Sequence, residues 1–210
     1  MAGAARTRGI AVSAAPKTQQ DACAERADQL QERLLSYPGI QAESEADLLR
    51  QLRNYLRQAI EDETLQHAPE DLYQLVKKMA AKNRDEFLIV GGDKNEQHDP
   101  NLPSLRRADG SFFHFTLTCR QKSREPVELL GYNFELCFAA APNARREYVR
   151  FDLTSPTGEA TANIERGMRS HLHPGSDDIQ VPAAALTPIE LLDLCVYRLK
   201  PRDSARRRAS

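Results

Sequence analysis

The 210-residue chain lacks several features that would narrow its function immediately. It contains no run of about 18 apolar residues, so no transmembrane helix is predicted. Its first 20 residues are small and basic, without the apolar stretch that forms the core of a secretory signal peptide. We therefore expect a cytoplasmic protein that has no contact with membranes.

The chain also lacks closely spaced cysteines. Its four cysteines are Cys23, Cys119, Cys137 and Cys195, and none forms a CxxC pair. This spacing excludes a zinc knuckle and a thioredoxin-like motif. Three of the four lie in apolar strand or helix patterns, where a reduced core cysteine is expected, and a reducing compartment agrees with a cytoplasmic location.

The net charge of the chain is close to zero. The formal net charge is -1 and the isoelectric point is about 6.5, so any contact with nucleic acid has to come from a local patch. No GxSxG or HExxH motif occurs, and Gly91-Gly92 lacks the rest of a phosphate-binding loop. These absences leave serine hydrolases, zincin-type proteases and nucleotide-binding proteins unsupported.

The hydrophobic pattern divides the chain into four parts. We expect a disordered leader at 1–20, a helical region at 21–82, an α+β domain at 83–201 and a basic, disordered tail at 202–210. Three helices are predicted in the helical region: one from Asp21, one capped by Ser44, and one from Pro69 that continues through Met79.

The remainder alternates with the period of β-strands. Short polar turns join consecutive alternating segments, which predicts a mainly antiparallel sheet of about five strands. The last element is an amphipathic helix, in which Thr187 is the N-cap, Pro188 the first residue and Glu190 the third. The predicted fold class is therefore α+β, with this helix packed on the apolar face of the sheet.

The residues with the most chemical potential lie on two of these strands. Strand alternation places Arg150 and Asp152 on the face away from the core, and it places Arg169, His171 and His173 together on one face of the next strand. If the two strands are neighbours, the five side chains share a surface. We therefore select them as candidate catalytic residues.

One interpretation of this group is metal-free cleavage of a phosphodiester such as RNA. Imidazole titrates near pH 6.5, so one histidine can accept a proton while the other, protonated, donates one. Arg150 or Arg169 would neutralise charge at phosphorus, and Asp152 would orient a histidine.

Two other interpretations remain open. In the first, His171 and His173 bind a zinc or manganese ion together with Asp177 or Asp178, which would make the protein a metal-dependent hydrolase. In the second, the histidines are half-exposed surface residues, and the Pro-Gly-Ser-Asp segment after them is a simple turn.

The order of these residues resembles the TumE-type toxin family of bacterial toxin–antitoxin systems, over about the last third of the chain. An arginine–aromatic–aspartate strand is followed by a histidine-rich segment, a proline and a final amphipathic helix. The matching pieces here are Arg150-Phe151-Asp152, His171-Leu172-His173, Pro182 and the helix from Thr187.

The resemblance implies an α+β protein with toxin-like ribonuclease activity, held in check by an antitoxin or another protein partner of a defence system. The contrasting hypothesis is a non-catalytic accessory subunit that binds its partner through the N-terminal helices. A homo-oligomer is compatible with either function.

Overall fold

A computed structural model describes residues 41–123, 125–140, 147–156, 163–164 and 168–200. These residues form an α+β fold in which helices cover one face of an antiparallel sheet. The leader, the predicted first helix and the basic tail lie outside them. The helical elements are α1 (Glu45–Glu61), a 3₁₀ turn (Pro69–Asp71), α2 (Leu72–Leu75), α3 (Pro188–Asp193) and a π-helical turn (Leu194–Arg198). The strands are β1 (Val76–Ala80), β2 (Glu86–Gly91), β3 (Leu105–Arg106), β4 (Phe112–Arg120), β5 (Glu128–Cys137), β6 (Tyr148–Leu153), β7 (Ser170–Pro174) and β8 (Val181–Pro182).

Helix α1 confirms the prediction of a helix capped by Ser44. The Ser44 side chain accepts a hydrogen bond from the Asp47 backbone N–H, which satisfies one of the unpaired donors of the first turn. Leu48, Leu52 and Leu56 are buried in the core that α1 shares with the sheet. The apolar face of α1 is therefore occupied by packing within the chain.

The predicted third helix is wrong beyond its first turns. The helical part ends at Leu75, and β1 follows as an edge strand paired antiparallel with β2 from Val76 to Ala80. Val76 and Met79 match helical spacing by coincidence. Pairing with β2 overrides this local pattern, because it satisfies the backbone groups of an extended segment.

The sheet is also larger than the five strands predicted. The described residues form eight strands in the order β1-β2-β4-β5-β6-β7-β8, and β3 pairs with β4. The strands that the sequence did not predict are β1, β3 and β8. The last two have only two residues each, which is too short for alternation to be visible.

The two faces of the sheet differ as the alternation predicted. Phe113, Phe115 and Leu117 of β4 and Phe134 of β5 are buried against the helices, and the Phe115 and Phe134 rings stack with centroids 4.9 Å apart. The opposite face of β4 to β7 carries histidines, carboxylates and an arginine. The second face therefore carries the candidate site.

Helix α3 confirms the predicted capping box. Thr187 accepts from the Glu190 backbone N–H, and the Glu190 carboxylate accepts from the Thr187 N–H. The helix is shorter than predicted and continues as the π-helical turn, whose Cys195 and Val196 are buried in the core. Among the described residues, no helix has the length and apolar character required to cross a membrane.

Candidate functional site

Two rows of polar side chains cross the second face of the sheet. Antiparallel pairing sets residues of neighbouring strands directly opposite one another, with Cβ atoms about 5 Å apart. The row that includes Arg150 is His114, Glu135, Arg150 and His173, and the row that includes Asp152 is Thr116, Asn133, Asp152 and His171. The register of β4 to β7 thus builds the site.

The structure brings four of the five candidate catalytic residues into one cluster. His173 Nε2 lies 3.0 Å from a guanidinium nitrogen of Arg150 and 3.2 Å from Asp152 Oδ2. His171 Nε2 lies 3.6 Å from the same Asp152 oxygen, and the two imidazole centroids are 5.0 Å apart. The predicted grouping of Arg150, Asp152, His171 and His173 is therefore present, and their catalytic role stays a prediction.

Both ring nitrogens of His173 have partners within the site. A guanidinium can only donate, so Arg150 is the partner of His173 Nε2 in the tautomer in which that nitrogen carries a lone pair. The other ring nitrogen, Nδ1, lies 3.3 Å from the Ser176 carbonyl and donates its proton there. If Nε2 gains a proton, Asp152 Oδ2 is already in place to accept the new N–H. The ring therefore has a partner in both protonation states.

His171 is held in a similar way. Its Nδ1 donates to the Met168 carbonyl at 2.7 Å, which leaves the Nε2 lone pair directed to the cluster. Burial lowers the pKa of His171 below its ordinary value, against the opposing charge of Asp152. Burial acts to raise the pKa of Asp152, but the His173 imidazole and the Arg150 charge outweigh it and hold that pKa below the usual range. Near neutral pH the cluster thus contains a carboxylate and a neutral His171.

Arg150 is the centre of charge in the cluster. Its guanidinium donates to Asp152 at 2.9 Å and to Asp177 at 2.6 Å, and Glu135 lies 3.7 Å away. The Asp177 side chain is 71% exposed, whereas that of Asp152 is 16% exposed. The Asp177 carboxylate is therefore the partner that an incoming anion could displace at the lowest cost in free energy.

Two of the selected residues lie elsewhere. The Arg169 guanidinium donates to the backbone carbonyls of Thr154 and Leu130, so its hydrogen bonds support strand ends. Asp178 is exposed, and its backbone N–H donates to the Ser176 hydroxyl. The described residues also include a group of Asp152, His171 and His173 whose ligand atoms lie within 4.8 Å of one another, and the assignment of Asp177 or Asp178 as metal ligands stays a prediction.

Two cavities give access to this face. A cavity of about 930 Å³ borders the Arg150 row, and its lining includes Glu135, His98 and His114. A second, of about 320 Å³, borders the opposite side of Arg150 and is lined by Asp152, His171 and His173. The histidine side chains are only 2–3% exposed, so the smaller cavity is their route to solvent.

Comparisons with protein-family models, with curated proteins and with solved structures find no match. The functional argument therefore depends on the geometry of the cluster.

Sequence reasoning did not select Glu135, although alternation placed it on the polar face. Burial raises the pKa of Glu135 to about 7, while the neighbouring Arg150 acts in the opposite direction. Burial also lowers the pKa of His114 to about 4. The sequence does contain a feature that marks Glu135: it and Asn133 are polar residues within a strand of aromatic and aliphatic side chains.

Proposed function

We propose that this protein is a metal-free ribonuclease of a bacterial toxin–antitoxin or defence system, with Arg150, Asp152, His171 and His173 as its catalytic residues. The observation that carries the proposal is the position of His173 Nε2 between a fixed donor, Arg150, and a fixed acceptor, Asp152. Such a ring can take up and release a proton without reorientation, which acid–base catalysis requires.

The proposed reaction uses the two histidines in different roles. His171, with its lowered pKa and its Nε2 lone pair, accepts the proton of a ribose 2′-hydroxyl. The 2′-oxygen then attacks phosphorus, and the bond to the 5′-oxygen breaks. The imidazolium form of His173, stabilised by Asp152, donates its proton to that leaving oxygen. The products are a 2′,3′-cyclic phosphate and a 5′-hydroxyl.

Arg150 supplies the positive charge that this reaction needs. The negative charge on the non-bridging oxygens increases in the transition state, and a partly buried guanidinium stabilises it more than an exposed one would. The guanidinium borders both cavities, so a substrate in either one can reach it. Displacement of Asp177 would make one of its N–H groups available to a phosphate oxygen.

The biological setting is part of the same proposal. The resemblance to TumE-type toxins supports an antitoxin-like protein partner and a cytoplasmic location, with RNA as the substrate. The alternative of a non-catalytic subunit that binds through its N-terminal helices has less support, because Leu48, Leu52 and Leu56 of α1 are buried against the sheet.

The test is cleavage of a 5′-labelled RNA in the presence of a chelator. We expect the wild type to produce cyclic-phosphate ends, and His171→Asn and His173→Asn to lower the rate by at least about a hundredfold each. His67→Asn is the matched control, since His67 accepts a hydrogen bond from the Arg106 backbone outside the cluster. Equal rates for the wild type and the double histidine variant would refute the proposal.

A metal-dependent hydrolase is the second candidate, with zinc or manganese held by Asp152, His171 and His173. Both rings donate Nδ1–H to backbone carbonyls, as metal-binding histidines commonly do. Against it, the Arg150 guanidinium lies 3.0 Å from His173 Nε2, which is the atom that a metal ion would have to bind. Cleavage that is lost with chelator and restored by either metal would favour this candidate.

A further inference from the structure

A second cluster of potential metal ligands lies next to Arg150, around Glu135. His98, from the loop between β2 and β3, reaches Glu135 and Cys137 of β5. We propose that His98, Glu135 and Cys137 bind a zinc ion and that His114 completes the site. This site is separate from the proposed catalytic cluster and does not depend on the ribonuclease proposal.

The distances within the cluster suit tetrahedral zinc. Bonds of about 2.0–2.1 Å to nitrogen and oxygen and about 2.3 Å to sulfur give ligand separations of about 3.3 Å and 3.5 Å at tetrahedral angles. His98 Nε2 lies 3.1 Å from Glu135 Oε1, and Cys137 Sγ lies 3.8 Å from the same oxygen. These two separations are within a few tenths of an ångström of the tetrahedral values, and the three ligand atoms all lie within 4.8 Å of one another.

His114 is the fourth ligand in this proposal. Its Nε2 lies 3.9 Å from Glu135 Oε1, and its side chain is only 8% exposed. Within the described part of the chain, His114 Nδ1 is buried without a hydrogen-bond partner. The nitrogen of the same ring that faces the three potential ligands is Nε2, so a metal ion would be bound through Nε2.

The charges of the site favour zinc over magnesium or calcium. A thiolate and two imidazoles are soft or borderline ligands, which suit zinc, whereas hard cations prefer oxygen. With Cys137 and Glu135 both deprotonated, the ligands carry a charge that balances a divalent ion. Arg150 lies 3.7 Å from Glu135, but Asp152 and Asp177 neutralise it from the other side.

Zinc at this position would fasten a loop to the sheet. His98 has a left-handed backbone with φ of 54°, and its ring stacks on Tyr148 with centroids 4.6 Å apart. Two hydrogen bonds between Asn95 and Asp99 stabilise the same loop. Coordination would therefore fix the wall of the larger cavity, which His98 lines.

The test is zinc loading of the full chain followed by desalting and metal analysis, without RNA. We expect one zinc per chain, with an affinity reduced at least tenfold in Cys137→Ser and in His98→Gln and unchanged in the double variant of His171 and His173 to Asn. Cobalt replacement should show the charge-transfer absorption of a thiolate ligand. His98 lies in a loop and its side chain is 23% exposed, so His98→Gln tests the site even if the buried Cys137→Ser fails to fold.

The proposal is overturned if the wild type retains no zinc, if cobalt shows no thiolate band, or if the variants of His171 and His173 lose the metal instead. Cleavage is measured separately with chelator present. Loss of zinc with retained cleavage in His98→Gln would show that the two sites act independently, as proposed.

Discussion

The ion pair between Arg150 and Asp152 should couple much more strongly than an exposed pair of the same length. Arg150 Nε lies 2.9 Å from Asp152 Oδ2, with side chains 21% and 16% exposed. Arg120 lies 2.9 Å from Glu128, with exposures of 28% and 56%. Each pair joins an arginine to a carboxylate at the same distance; the carboxylates differ in exposure, and Arg150 also contacts Asp177 and His173.

The expected magnitudes follow from Coulomb's law. At 2.9 Å the attraction is about 6 kcal/mol for an effective dielectric constant of about 20, and about 1.4 kcal/mol in bulk water. Desolvation and loss of side-chain entropy offset much of either value. We therefore expect a coupling energy of about 1–3 kcal/mol for Arg150 and Asp152, and less than about 1 kcal/mol for the exposed pair.

Double-mutant cycles measure both quantities. Arg150→Met, Asp152→Asn and the double variant form one cycle, and Arg120→Met with Glu128→Gln forms the control cycle. Urea unfolding followed by far-UV circular dichroism gives the free energies, since the chain has no tryptophan to report by fluorescence. Equal coupling energies in the two cycles would refute the idea that burial makes the Arg150 charge effective.

Three further predictions concern the same face. Burial lowers the pKa of His171 below its value in the unfolded chain, so the neutral imidazole contributes its full stability above pH 6.5, and this contribution is lost as pH falls through the folded pKa. Cleavage and the free energy of unfolding should therefore both decrease below pH 6.5. His171→Asn should flatten the dependence of stability on pH. Asp177→Ala should expose an Arg150 N–H and raise the affinity for inorganic phosphate about fivefold by calorimetry, whereas Asp178→Ala should leave it unchanged. Gly131→Ala would place Cβ 2.5 Å from the carbonyl oxygen of Leu153 in β6. We expect the free energy of unfolding, measured with urea, to decrease by at least about 2 kcal/mol. An unchanged free energy would contradict the tight strand contact.

The cluster was predictable from sequence because it depends on two simple regularities. Alternation with period two places Arg150 with Asp152 and His171 with His173, and consecutive antiparallel strands usually pair. Given both, the four side chains share one face, and the register of β6 with β7 brings them into contact. Proximity in sequence favours Asp177 or Asp178 as the carboxylate beside the histidines, whereas Asp152 is close in space through the register of β6 and β7.

The remaining features depend on non-local contacts that periodicity does not encode. Strand β1 exists because Val76 pairs with Gly91, and its own spacing fits a helix equally well. The partner of Glu135 at 3.1 Å is His98, which comes from a loop, and the path of a loop cannot be inferred from alternation. The short strands β3 and β8 have too few residues for any pattern.

The direct opposition of Arg150 with His173 and of Asp152 with His171 has an evolutionary consequence. The connection from β6 to β7 can lengthen or shorten without disturbing the four groups, provided that the strands keep their alignment. Distant homologues should therefore share two spaced pairs, Arg-x-Asp and His-x-His, separated by a segment of variable length and composition. A search for that discontinuous signature would recover homologues that whole-chain alignment does not detect.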